Sequence, residues 1–102
     1  HVVIKVVVMP HAQTNLTGLI KIKPRLKQIN AFLKHQVLLV GTDSTAVSTP
    51  KLEIESDDVI ASHAAVISPL DQNQIFYLMS RGFSQTQAVN LIINSFLTSH
   101  EI

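Results

Sequence analysis

Residues 62–96 read SHAAVISPLDQNQIFYLMSRGFSQTQAVNLIINSF, and the change of period inside this stretch decides the fold. Up to Pro69 the residues are β-branched and small, as in a strand. Beyond it the apolar residues fall at helical spacing. Asp71 followed by Gln74 offers a side-chain oxygen to the free N–H groups of a first helical turn, and Ser84 followed by Gln87 repeats the arrangement. Between them Gly82 supplies the left-handed residue that ends a helix. The stretch therefore predicts a strand, a helix over 71–81, a very short turn and a helix over 84–97.

Toward the N-terminus the chain reads as β throughout residues 1–69. Val2, Val3, Ile4, Val6, Val7 and Val8 form a β-branched run, and Leu19-Ile20-Lys21-Ile22-Lys23 alternates until Pro24 stops it. Val37 to Val40 is a further apolar run, closed by Gly41-Thr42-Asp43, and Leu52-Glu53-Ile54-Glu55 alternates after Pro50. Strand centres are expected near positions 5, 20, 38, 53 and 63. Small residues at Ala61, Ser62, Ala64 and Ala65 suggest tight stacking against a neighbouring strand, the habit of parallel β-helices. The expected fold is mainly β with a C-terminal α part: a strand region over 1–69 and a helical hairpin over 70–102. Pattern alone leaves a sandwich as the alternative.

Composition bounds what such a domain can do. With 102 residues, 46% hydrophobic and 15% charged, and a formal charge of +1, the chain is one folded domain rather than a disordered segment. It opens at His1 rather than Met and reads as a processed chain or a piece of a longer one. The absence of cysteine excludes disulfides, a thiol nucleophile and any self-contained iron–sulfur or thiolate zinc site. Every apolar run falls short of the ~20 residues of a membrane span, so no membrane partner is expected and the cytoplasm is the expected location. The cations Lys21, Lys23, Arg25, Lys27 and Lys34 are joined by Phe32 alone among aromatics, too few for a nucleic-acid stripe. Lys21 and Lys23 instead match Glu53 and Glu55 as outward-facing partners on two strands.

The helices carry more apolar surface than a lone hairpin needs. Ala88, Val89, Leu91, Ile92, Ile93, Phe96 and Leu97 cover far more than the ~100° stripe of an ordinary surface helix. The first helix adds Ile75, Phe76, Tyr77, Leu78 and Met79. Part of this surface packs inward, and the rest is expected to dock a partner protein.

Chemistry is sparse. No phosphate loop, GxGxxG, HExxH, GxSxG or paired-cysteine motif is present. The histidines, His1, His11, His35, His63 and His100, include no i, i+4 pair. His63 stands out because Ser62 and Ala64 leave room around its imidazole for a partner group or metal. Glu53, Glu55, Asp57 and Asp58 form the only acidic cluster, and a continuing strand would put three of them on one face, as a carbohydrate-active β-helix enzyme requires.

Several of these segments together resemble the C-terminal part of the SufB/SufD family, the scaffold subunits of Suf-type iron–sulfur cluster assembly. The matching residues are Thr49-Pro50-Lys51-Leu52-Glu53-Ile54, Asp57-Asp58-Val59, Ser62-His63-Ala64-Ala65 and, most specific, Asp71 through Gly82 (DQNQIFYLMSRG). Gly18-Leu19-Ile20-Lys21-Ile22 and Leu38-Leu39 also fit, so the likeness runs from about residue 16 onward. The resemblance implies the terminal rungs of a right-handed parallel β-helix followed by helices that bind the ABC-type ATPase SufC. Ile75, Phe76, Leu78, Met79, Arg81, Leu91, Ile92 and Phe96 are the residues expected at that docking surface. It also implies pairing with a second SufB- or SufD-type scaffold through the β region, and a non-enzymatic role.

Ser62-His63-Ala64 is similar to the SufD form Ser-His-Gly, whose histidine the family uses in cluster assembly. By that likeness His63 is the one candidate cluster-site and metal residue. Where SufB has a glutamate after this histidine the chain has Ala64, and where SufB has a cysteine on the earlier strand it offers Lys34 or His35. The chain thus looks SufD-like, binding no cofactor alone and meeting an iron–sulfur cluster only transiently within a complex. Lacking upstream coils, its strand edges are expected to drive homo-oligomer formation. A structural oligomerisation module with no Suf role is the rival reading, and a β-helix carbohydrate-active enzyme the remotest one.

Overall fold

The structure, a computed structural model, describes residues 1–99. Five strands precede two helices: β1 Val2–Val8, β2 Gln13–Ile22, β3 Lys27–Leu39, β4 Thr45–Ile54, β5 Asp58–Pro69, α1 Gln72–Ser80 and α2 Gln85–Thr98. Odd-numbered strands form one sheet in the order β1-β3-β5, and β2-β4 form a second, so the chain alternates between two sheets as it advances. All pairings are parallel. Val2 lies beside Leu33, 31 positions on; Gln13 beside Thr45, 32 on; and Leu33 beside His63, 30 on. Neither sheet closes on itself, and the molecule is a plate with extents of 58 × 28 × 15 Å.

Polar corners stack to keep this register. His11 turns the chain with φ 67°, and its backbone N–H donates to Asp43 Oδ1 at 2.9 Å while its ring pairs with the other carboxylate oxygen. Gly41 sits so close to Pro10 that a Cβ there would lie 2.6 Å from the Pro10 Cα. At the next corner the Ser56 hydroxyl accepts from the Leu26 N–H and donates to the Lys23 carbonyl. Between the corners, register places Lys21 opposite Glu53, the pairing expected from their outward alternation.

Two expectations about strands need correction. The short apolar run at Val37–Val40 is only the end of β3, which extends over 13 residues and takes in Lys27 and Lys34 of the basic block. Its alternation is hidden in sequence because the inward positions include Ala31 and His35. In the second case β4 does not begin after Pro50 but runs through it. As β4 has a neighbour on one side only, the missing N–H is tolerated there.

Sheet β1-β3-β5 is covered on one face by β2 and β4 and on the other, at its end near Leu38, by the helices. Leu33, His35 and Val37 point toward β2 and β4 and are buried. Leu38, on the opposite face, joins Leu70, Ile75 and Ala88 in a core under the helices, flanked by Leu78, Ile92 and Phe96. Each large side chain buried there contributes about 1.5–3 kcal/mol. That is enough to hold helices too short to persist alone.

Both helix starts follow the sequence. Asp71 accepts from the Asn73 N–H at 2.9 Å, and Ser84 with Gln87 forms a reciprocal capping box. Gly82 adopts φ 101°, with open space around it. At its far end α2 is clasped by the first strand: Lys5 Nζ donates to the Phe96 carbonyl at 2.8 Å and to the carbonyl and hydroxyl of Ser99. A cation at a helix C-terminus also complements the helix dipole.

Candidate functional site

Two places in this framework concentrate the candidate functional residues. The first lies between the sheets. His63 of β5 is opposite Leu33, so His35, two positions further along β3 on the same face, comes diagonally against it. Their ring centroids are 4.9 Å apart and the rings meet edge to face at 90°. A hydrogen bond of 2.7 Å joins His35 Nδ1 to the hydroxyl of Ser48 on β4. On the β2 side Gly18 makes room: a Cβ there would lie 2.4 Å from Leu33 Cδ2 and 3.0 Å from His35 Nε2.

The electrostatics of the pair are uneven. His35 is only 1% exposed, and burial, followed by the adjacent His63, pushes its pKa below the ordinary 6.5. His63 keeps Nε2 buried without a hydrogen-bond partner. Such an unpaired atom is uncommon, because the loss of its hydration has nothing to offset it. Among the described residues, no three His, Asp or Glu side chains converge as a metal-binding set.

The remaining candidates separate. His11 is engaged with Asp43, and His1 packs against the Phe32 ring at 4.9 Å. His100 lies outside the described residues. Of Lys34 and His35, the chain brings His35 to His63, while Lys34 belongs to the other face of β3. Reasoning along the sequence missed this pair because the two histidines stand 28 positions apart. Had the 30-residue advance from β3 to β5 been known, that spacing would have marked one face. The acidic cluster does not assemble, since β4 stops at Ile54 and its alternation never reaches Asp57.

The second place is the hairpin. A cleft of about 850 Å³ opens where α1, α2 and the ends of β3 and β5 meet, lined by Leu38, Tyr77, Leu78, Leu91, Ile92 and Phe96 among others. Phe76 is 75% exposed, with Tyr77, Met79 and Leu91 also exposed. The guanidinium of Arg81 lies 5.2 Å from the Tyr77 ring centroid. Ile75 is different. At 5% exposure it belongs to the core under the helices and offers no surface to a partner, which corrects its expected place at the docking surface.

Relatives of known family match this arrangement over nearly its whole length. The family model for the SUF system FeS cluster assembly SufBD core domain matches residues 1–96. The iron–sulfur cluster assembly protein SufD of Escherichia coli is 35% identical over 92 residues, covering 90% of this chain and 22% of that protein. SufD of Bacillus subtilis is 36% identical over 86 residues, 84% of this chain and 20% of the relative. An iron–sulfur cluster assembly SufBD family protein of Mycobacterium tuberculosis is 32% identical over 97 residues, 95% of this chain and 12% of its own length. The chain thus spans about a fifth or less of the relatives it matches. With the SufD-like segment around His63 in place, the matches agree on one conclusion: this chain belongs to the SufBD family, with SufD among its relatives.

Proposed function

We propose that this chain is a non-enzymatic scaffold component of Suf-type iron–sulfur cluster assembly, built as two coils of a right-handed parallel β-helix over 1–69 and a docking hairpin over 70–102. The observation that carries this reading is the hairpin itself. Its inner face is fixed to the sheet through Leu38, Ile75 and Ala88; Tyr77, Leu78, Leu91, Ile92 and Phe96 line an apolar cleft, and Phe76 and Met79 are exposed elsewhere on α1. A fixed apolar cleft suits a helix or loop of a globular partner. That partner is a SufC-type ABC ATPase. Parallel coils are right-handed by the general rule for crossovers between parallel strands.

The β region supports pairing with a second SufB- or SufD-type scaffold, or a second copy of this chain. β4 and β5 each have one open side, and Val47, Leu52, Ile60, Val66 and Ile67 are exposed along them. Open strand edges with apolar neighbours favour such pairing. His63 on the edge strand β5 is the cluster-site residue. Iron–sulfur clusters take four protein ligands, so in this reading a cluster is cargo held transiently, with ligands completed by the partner scaffold. The complex acts in the cytoplasm; no described helix is long and apolar enough to cross a membrane.

Calorimetric titration with the SufC-type ATPase of the same source tests the docking step. Saturable binding is expected, and its loss is expected in a Phe76→Asp, Leu91→Asp double variant whose circular dichroism is unchanged. A folded parent chain that binds no ATPase would overturn the reading in favour of a structural oligomerisation module.

A further inference from the structure

We propose that His35 is a positioning residue for His63. Held at Nδ1 by the Ser48 hydroxyl, its ring fixes the His63 imidazole in one orientation and keeps His63 Nε2 available as a nitrogen ligand. The inference rests on the reading of His63 as the cluster-site residue and adds what makes that residue competent.

Three observations converge on it. His63 Nε2 is buried and unpaired, although a buried polar atom in a purely structural role ordinarily has a hydrogen-bond partner. The ring is nonetheless not free to turn toward other partners, because His35 meets it edge to face at 4.9 Å. Such contacts have a preferred angle, so a fixed neighbour fixes the ring. His35 is itself fixed. Ser48 bonds it from β4, and a Cβ at Gly18 on β2 would crowd its Nε2 at 3.0 Å. The second sheet therefore acts on His63 through His35, and the ligand strand β5 has no neighbour on its far side. Partners that orient a metal-binding histidine govern affinity nearly as strongly as the ligands themselves.

The test reads His63 directly. In long-range proton–nitrogen spectra of the histidine rings, the parent chain should give one sharp His63 set. His35→Ala should double or broaden it, and His35→Phe, which keeps a ring edge in place but loses the Ser48 bond, should do so less than His35→Ala. Ser48→Ala should broaden it in the same direction. Titrating Co²⁺ alone and following paramagnetic broadening at His63, affinity should fall about 10- to 100-fold in His35→Ala and by less in His35→Phe. Unchanged His63 signals and Co²⁺ affinity in His35→Ala would overturn the proposal. Should that variant fail to fold, the same result in Ser48→Ala would overturn it. His63→Ala separates the two readings: if Co²⁺ affinity survives it, the cluster-site reading fails while the ring spectra still decide the positioning role. Should the parent bind no Co²⁺, the ring spectra again decide.

Discussion

The two faces of the β1-β3-β5 sheet bury opposite kinds of chemistry. Toward the helices lie Leu38, Leu70, Ile75 and Ala88, a core without a polar side chain. Toward β2 and β4, only two residues from Leu33 and from Val37, lies His35, with Ser48 and His63 around it. The first face needs only shape and hydrophobicity, and it fixes the hairpin. The second keeps hydrogen-bonding groups where apolar ones would pack with less cost, and one of them is left unpaired. The end of one parallel strand can thus bury apolar and polar groups on its two sides at once, because neighbouring residues point to opposite sides.

Breaking the apolar face should have the largest effect. Leu38→Ala is expected to destabilise the chain by about 2–5 kcal/mol, measured by urea denaturation. Amide exchange should accelerate in α1 and α2 more than in β2. Equal acceleration in β2 would mean that the two faces do not melt separately. On the polar face, Gly18→Ala forces a methyl to within 2.4 Å of Leu33 Cδ2 and should cost about 1–3 kcal/mol, with the loss centred on the histidine pair rather than the hairpin. A cost within error of zero would show that the Leu33 side chain yields freely.

The smallest effect sharpens the contrast through pH. Burial and then His63 hold the His35 pKa below 6.5, so the unfolded chain takes up a proton there before the folded chain does. The contribution of His35 to stability is therefore complete above pH 6.5 and declines as the pH falls toward the folded-state value. The groups facing it are His63 of β5 and Ser48 of β4, with Gly18 on the β2 side. In His35→Gln the slope of the urea midpoint against pH below 6.5 should flatten. A parent whose midpoint shows no such slope would contradict the assignment.

The hairpin was legible in the sequence because its signals are local. Asp71, Gly82 and Ser84 each act on backbone groups a few residues away, and both helices fall within two residues of their expected ends. The strands were legible as strands but not in extent. β3 hides its period behind Ala31 and His35, and β4 passes through a proline that only an edge strand tolerates. The candidate histidine pair was half legible. His63 was marked by its small neighbours, whereas His35 was marked by nothing nearby, and the length of one coil was needed to bring the two together.

The clasp of Lys5 on the end of α2 spans nearly the entire chain, from the first strand to Phe96 and Ser99. During synthesis the strands can stack as each coil emerges, but this bond waits for the last helical turn to appear. Closing a contact of such separation is entropically costly unless the intervening chain is already ordered, so this one forms after the coils have stacked. The hairpin therefore reaches its finished position only on a chain whose β1 is already in place.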